Sequence, residues 1–142
     1  MTSSNDLASS RPLRGVTLRV ARPTDDLEAV VNFYRDALGL DVIDHFEDHG
    51  GIDGVMLGFA GAPYHLEFTR QRGMSAGRAP TEDNLLVFYV PDRREWEAVM
   101  ARLAASGHDA VSSINPNWDR AGMTFEDPDG YRIVIQNGAW ED

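Results

Sequence analysis

The chain of 142 residues contains no cysteine, and because all 13 of its basic residues are arginines, lysine is absent as well. Without cysteine there is no thiolate nucleophile, no disulfide and no thiolate metal site. Without lysine there is no Schiff-base chemistry and no P-loop lysine. Any catalysis therefore depends on histidine, carboxylate, tyrosine or hydroxyl side chains, or on a bound metal or cofactor.

A long apolar run and a basic stripe are also missing. Residues 1–13 are mostly polar and rich in serine, and we interpret them as a flexible tail without a signal peptide or membrane span. Acidic residues outnumber basic ones by 23 to 13, which gives a formal charge of −10, and the arginines are scattered. We therefore expect a cytoplasmic protein that binds neither nucleic acid nor membranes.

Residues 14–70 have the pattern of a strand, a helix and three further strands. The strand Gly15–Ala21 alternates apolar and polar side chains. Asp25 and Glu28 form an acidic variant of a capping box, which predicts a helix over Asp26–Leu38 that ends at Gly39. Apolar positions and turn residues then predict three strands, at residues 40–46, 54–59 and 64–70.

Residues 84–137 repeat this plan after a linker over residues 71–83 that is rich in Gly, Ala, Pro and polar side chains. A strand Leu85–Val90 precedes a helix that Asp92 and Glu95 cap and Gly107 ends. Strands are predicted at residues 110–114, 123–126 and 131–136, with the turn Asp127–Gly130 between the last two, and residues 138–142 form a tail. The internal repeat predicts one α+β domain built from two tandem βαβββ modules.

Alternation along residues 64–70 separates two faces of the fourth strand. Leu66 and Phe68 share one face, whereas His65, Glu67 and Thr69 share the other. The same parity places Val16, Leu18 and Val20 of the first strand on the apolar side, together with Leu86, Phe88, Ile133 and Ile135 of the second module. We expect this apolar side to be the core.

Two motifs carry a resemblance to a known family. The string FYRDALGL over Phe33–Leu40 and the hairpin Asp127–Tyr131, within paired βαβββ modules, resemble the vicinal oxygen chelate superfamily of glyoxalase I, bleomycin-resistance proteins and extradiol dioxygenases. The resemblance covers residues 15–137. It implies a curved, partly open mixed sheet with helices on the outer face and a substrate pocket on the concave face. It also implies a homodimer.

Most enzymes of that superfamily hold a divalent metal with four side chains. The equivalent positions here are Gly15, Glu67, Leu85 and Val134, of which only Glu67 could be a ligand. We therefore predict no metal and no other cofactor. The alternative is a displaced metal site in which His65 and Glu67 are joined by a loop histidine, either His45 or His49.

The candidate site residues are the polar and aromatic side chains assigned to the concave face and its loop. His65 and Glu67 are the candidate catalytic pair, in which Glu67 would orient the imidazole and His65 would transfer a proton near neutral pH. The candidate substrate-binding residues are Thr17, Arg19, Thr69, Tyr89, Asn115, Trp118, Arg132 and Gln136. An apolar wall with a few fixed polar groups suits a small anionic or aromatic ligand.

Each of these residues also has a purely structural interpretation. His65 and Glu67 could satisfy each other, and Arg19 and Arg132 could be ion-pair partners of Glu67 instead of anion clamps. Trp118 could be a lid over the pocket or a dimer contact. For Asp127 the turn is a sufficient explanation.

Three functions remain open at this point. The first is binding of a small organic molecule without a metal, with acid-base chemistry of the isomerase or lyase type. The second is sequestration of an antibiotic or metabolite without chemical change, which the net negative charge would suit if the ligand were cationic. The third is a metal-dependent glyoxalase-like lyase or dioxygenase with a displaced metal site.

Overall fold

The computed structural model describes residues 11–140, which form two β-sheets and two helices. The strands are β1 Leu18–Pro23, β2 Asp41–His49, β3 Ile52–Gly58, β4 Tyr64–Gln71, β5 Leu85–Tyr89, β6 Gly122–Glu126 and β7 Arg132–Gln136. Helix α1 spans Leu27–Asn32 and continues as a π-helical turn over Phe33–Ala37, and α2 spans Arg93–Ala105. Within residues 11–140, neither helix has the length and apolar character that crossing a bilayer requires. Most of the predicted N-terminal tail and the last two residues lie outside the described part.

The first module has the predicted order of elements, and the second has it except for one strand. The first sheet has the strand order β1-β4-β3-β2, with β1 parallel to β4, and the second has the order β5-β7-β6, with β5 parallel to β7. The strand predicted over residues 110–114 is wrong, because only an isolated bridge between Val111 and Thr124 forms there. The chain then turns into the 3-10 helix Pro116–Asp119. The open α+β fold is therefore confirmed, but the second module is βαββ instead of the predicted βαβββ.

The core lies between the sheets and the helices, on the predicted apolar faces. Leu66, Phe68, Ile133 and Ile135 are each at most 3% exposed, and they pack in one cluster with residues of both helices. Full burial of a side chain of this size stabilises the fold by about 1.5–3 kcal/mol. Leu86 and Phe88 are partly buried against this cluster, as alternation predicts.

The first strand differs from its prediction. It runs over Leu18–Pro23 instead of Gly15–Ala21, because Gly15 has a φ of +77° and lies in the turn before the strand. The apolar side chains of β1 were expected in the core, but Val16, Leu18 and Val20 are 48%, 59% and 38% exposed. β1 is the edge strand of its sheet, and α1 packs on the neighbouring strands β3 and β4. An edge strand also tolerates Pro23.

The predicted cap of α1 is displaced by one residue. The Asp26 carboxylate accepts a hydrogen bond from the Ala29 amide at 3.0 Å, so Asp26 is the N-cap and the helix begins at Leu27. Asp25 instead accepts the amides of Ala76 and Gly77 at 2.6 and 2.9 Å. The linker is thereby fastened to the first module.

The linker is also fastened to the second module. The Arg78 guanidinium donates to the carbonyl oxygen of Pro128 at 3.2 Å, and the Ala79 amide donates to that of Asp129 at 2.9 Å. Sequence composition alone gave no sign of these contacts, because their partners are about 50 residues away. The segment between the modules is irregular but held at both ends.

A buried polar network joins the two modules. The Asp127 carboxylate accepts hydrogen bonds from the Tyr34 hydroxyl at 2.6 Å and from Arg22 at 2.9 Å, and Arg22 also donates to Tyr34 at 2.8 Å. The other Asp127 oxygen accepts the amides of Asp129 and Tyr131 in the turn. Burial and the Asp127 charge raise the pKa of Tyr34 well above its ordinary value, so the phenol remains a donor. The turn was therefore an insufficient explanation for Asp127.

Replacing Asp127 with Asn should destabilise the fold strongly. The amide retains an acceptor for the turn but leaves the Arg22 guanidinium, whose side chain is 14% exposed, without its counter-charge. Removing one partner of a buried pair costs about 3–5 kcal/mol, which chemical denaturation would measure. The matched control is Asp36→Asn, which breaks the exposed pair of Arg35 and Asp36 and should leave the unfolding free energy unchanged. Equal stability of both variants would contradict the role given to Asp127.

The attachment of the linker should depend on pH. Hydrogen bonds from the Ala76 and Gly77 amides lower the pKa of Asp25 below its ordinary value of 3.8. A carboxylate whose pKa is lower in the folded state stabilises the fold at every pH above its pKa in the unfolded chain. This stabilisation is lost as the pH falls through the pKa of the folded state. Hydrogen exchange of the Ala76 and Gly77 amides should therefore be faster in Asp25→Ala than in the parent at neutral pH. This difference should shrink in acid.

The control for this experiment is Asp109→Ala, because Asp109 is exposed and makes no side-chain hydrogen bond within the described residues. That variant should exchange these two amides at the parent rate at every pH. A difference between parent and Asp25→Ala that did not vary with pH would show that the Asp25 charge does not hold the linker.

Candidate functional site

The side of the first sheet that faces away from α1, called the open face below, carries most of the first module's candidate residues. In the register of β1 with β4, Arg19 lies opposite His65, and Ala21 lies opposite Glu67. Thr69 follows on the same face, while Phe68 points into the core on the other. The structure therefore brings Arg19, His65 and Glu67 together, and Thr69 lies one step farther along β4.

Arg19 bridges the two candidate catalytic residues. Its Nε atom donates to Nε2 of His65 at 2.8 Å, and its Nη1 atom pairs with Oε2 of Glu67 at 3.4 Å. His65 and Glu67 are two residues apart, about 6.8 Å along the strand, and their side chains form no hydrogen bond with each other. An arginine on the neighbouring strand is long enough to reach both. The ion pair with Glu67 that was considered for Arg19 is present, and it engages one Nη group of the guanidinium.

The hydrogen bonds of Arg19 determine the tautomer of His65 and pair the Glu67 carboxylate with a cation. Because Nε2 of His65 accepts a hydrogen bond, the proton of the neutral imidazole is assigned to Nδ1. The Glu67 side chain is 13% exposed and the Arg19 side chain 47% exposed, so the ion pair lies at a boundary with solvent. Arg19 uses only two of its five N–H groups within the described residues. The Arg19 guanidinium is therefore an oriented cation with three N–H groups that remain available for a further hydrogen bond.

Apolar side chains lie beside this cluster on the open face. Met56, which is 9% exposed, lies opposite Glu67, and the Phe46 ring lies over Gly54, where a Cβ atom would overlap the ring. Sequence reasoning missed Phe46 because a β-bulge between Val42 and Asp44 breaks the alternation of β2. Gly54, a glycine in the middle of a strand, was the available sequence signal that a bulky side chain packs over it.

The side chains of His65 and Glu67 are partly exposed on the open face. Neither side chain lines any of five clefts of 200–480 Å³ found elsewhere within residues 11–140. Thr17, the remaining first-strand candidate, precedes β1 and is exposed. The cluster around Arg19 is therefore a surface feature, open to an incoming molecule.

The candidate residues of β7 are buried beneath the chain's own loop. Arg132, 6% exposed, donates to the Ser112 carbonyl at 2.9 Å and pairs with Glu82 at 3.2 Å, not with Glu67. Gln136, 8% exposed, donates to the Trp118 carbonyl at 2.9 Å. The segment around residues 112–118 thus covers this half of the sheet.

The remaining candidates lie at the ends of this segment and of β5. The Asn115 side chain caps the 3-10 helix by accepting the Asn117 amide at 3.0 Å, and Trp118 is half-buried. Tyr89 lines a separate cleft of about 360 Å³, where its ring meets Trp140 edge-on at 6.0 Å. Trp140, which is 76% exposed, was not among the residues predicted from the sequence. A lone tryptophan in a short polar tail was nevertheless a signal of a functional surface.

The side chains present do not fit a catalytic divalent metal. Gly15, Leu85 and Val134 have no ligating side chain, so Glu67 has no partner at the family's other ligand positions. His45, opposite Val55, lies on the side of the sheet opposite to Glu67. In the part of the chain that is described, no three His, Asp or Glu side chains converge to hold an ion. We therefore derive no step through a metal.

Family models match both halves of the chain. The model of the YycE-like N-terminal domain matches residues 18–69, and that of the YycE-like C-terminal domain matches residues 83–137. The chain is 48% identical over 120 residues to YycE of Bacillus subtilis (strain 168), with 84% of this chain and 86% of that protein covered.

Solved structures agree with these matches. The crystal structure of YycE from Bacillus subtilis, a protein of unknown function, superposes with a TM-score of 0.82 at 44% identity, covering 91% of this chain and 94% of that chain. Glyoxalase I of Leishmania major has a TM-score of 0.66 at 20% identity over 86% of both chains. The fosfomycin resistance protein FosX of Mesorhizobium loti has a TM-score of 0.64 at 13% identity over 91% and 95% of the two chains. The last two likenesses concern the fold alone. The chain belongs to the YycE-like family, whose fold is that of the vicinal oxygen chelate superfamily.

Proposed function

We propose that the protein binds a small organic molecule carrying a carboxylate or other oxyanion on its open face, with Arg19 as the recognition group. The observation that carries this proposal is the bridge from Arg19 to His65 and Glu67. A guanidinium held in one orientation loses little entropy when it binds a planar anion, and its fork matches a carboxylate.

The surroundings of Arg19 suit the rest of such a ligand. Half of the Arg19 side chain remains accessible, so an anion can reach the unused N–H groups without unfolding any element. The half-buried Phe46 ring supplies apolar surface on the same face. An apolar wall beside a few fixed polar groups is the usual composition of a small-molecule site.

Proton transfer by His65 is the second candidate function, and it would make the protein an isomerase or lyase. The supporting observation is that the Nε–H group of Arg19 donates a hydrogen bond to Nε2, the basic nitrogen of His65. A ligand anion that accepts the hydrogen bond of this N–H group would break its bond to His65. The Nε2 atom of His65 could then accept a proton from the ligand. Binding without chemical change is the alternative outcome, in which the protein sequesters its ligand.

Replacing Arg19 with Gln should weaken the binding of carboxylates. Benzoate is a suitable probe because benzyl alcohol has the same ring without the charge. Loss of a charge-assisted hydrogen bond should reduce benzoate affinity roughly tenfold, and affinity for benzyl alcohol should stay unchanged. Calorimetry or NMR titration would measure both.

The matched control is Arg94→Gln, which removes an exposed arginine that makes no side-chain hydrogen bond or ion pair within the described residues. Its benzoate affinity should equal that of the parent. Equal losses in both variants would indicate a general charge effect and would contradict the role of Arg19. Arg19→Lys should bind with intermediate affinity, since it keeps the charge without the fork.

Incubation with a panel of small carboxylates and antibiotics would separate catalysis from sequestration. Mass spectrometry reports whether a ligand is altered, and the unfolding temperature reports whether it is bound. If His65 transfers a proton, His65→Ala should abolish conversion while the unfolding temperature of the free protein changes little. A raised unfolding temperature with an unaltered ligand would favour sequestration, and conversion by His65→Ala would reject the proton-transfer role.

A further inference from the structure

A second cleft, of about 370 Å³, lies on the helix side of the two sheets, away from Arg19. The first module contributes the end of the α1 segment, Phe59 and Tyr64, and the second contributes Phe88 and one flank of α2. Tyr64 and Phe88 belong to the faces that point toward the core, so this cleft and the open face are on opposite sides of the sheets. None of its lining residues was a candidate from the sequence.

Three aromatic rings line this cleft. Phe59 is 45% exposed, and the rings of Tyr64 and Phe88 meet edge-on with their centroids 6.1 Å apart. The Tyr64 hydroxyl makes no hydrogen bond to any other residue within 11–140, and partial burial raises the pKa of Tyr64, so the ring remains a neutral phenol. The face of a neutral aromatic ring carries the negative part of its quadrupole, which attracts cations.

The two charged residues along the cleft differ in their partners. Arg102 donates to the carbonyl oxygens of Asp36 and Arg35 at 2.9 and 3.4 Å, where the α1 segment ends, so its charge is directed toward those carbonyls. The carboxylate of Glu95 has neither an ion pair nor a hydrogen bond with the described residues. Of the two charged groups along the cleft, the Glu95 carboxylate is therefore the one whose side chain has no bonded partner within residues 11–140.

From this arrangement we infer that the cleft binds an organic cation, an ammonium group attached to an apolar or aromatic body. The positive group would lie between Glu95 and the aromatic rings, and the body would fill the apolar part of the cleft. Aromatic faces attract ammonium groups and a carboxylate adds to that attraction. The net charge of −10 would also draw cations from solution. This site is distinct from the proposed anion site at Arg19.

Benzyltrimethylammonium is a suitable probe, with benzyl alcohol as its neutral analogue and benzoate as its anionic one. Calorimetry on the full chain should show saturable binding of the cation and weaker binding of benzyl alcohol at this cleft. Glu95→Gln should reduce affinity for the cation roughly fivefold. Phe59→Leu should also reduce it, and because Phe59 is exposed the variant should fold normally.

Glu97→Gln is the matched control, because it makes the same charge change on the same helix. Glu97 pairs with Arg93 on the surface and does not line the cleft, so its loss should leave cation binding at the parent level. Equal losses in Glu95→Gln and Glu97→Gln, or equal affinities for the cation and benzyl alcohol, would overturn the inference. Arg19→Gln should bind the cation like the parent, so failure at one site does not imply failure at the other.

Discussion

The hydrogen-bonded network of Arg22, Tyr34 and Asp127 determines where β1 lies, and the open face depends on that strand. Arg22 points from β1 into the space between the modules, where the second module's Asp127 neutralises it. Arg19, three residues earlier, points to the other face and lies opposite His65. A shift of β1 by one residue would reverse both directions and leave a buried carboxylate without its cation. One buried ion pair thus links the packing of two modules to the position of an exposed guanidinium.

Much of the fold could be predicted because its signals are local. Apolar periodicity indicated both helices and most strands, and parity alone assigned Leu66 and Phe68 to the core and His65 and Glu67 to the other face. The cap of α2 by Asp92 was also predictable, since that residue bonds to the Glu95 amide three positions away. Each of these features depends on neighbours within a few residues. Local sequence is sufficient evidence for such features.

The errors concern residues whose partners are distant in sequence. Asp25 and Asp26 are equally good caps by composition, and the choice between them depends on the amides of the linker some 50 residues later. Alternation places Arg132 on the site face, but its guanidinium is already bound to the Glu82 carboxylate and to the carbonyl oxygen of Ser112. Parity predicts the face on which a side chain lies. It does not predict what covers that face.

The attachment of the linker bears on how two such chains could associate. Tandem modules joined by a loose segment can exchange partners, so that a module of one chain packs on the complementary module of another. Here residues 75–79 bond to Asp25 on one side and to the Asp127–Gly130 turn on the other. Module swapping would have to break these bonds, and the connection therefore favours intramolecular pairing of the halves over an intertwined assembly.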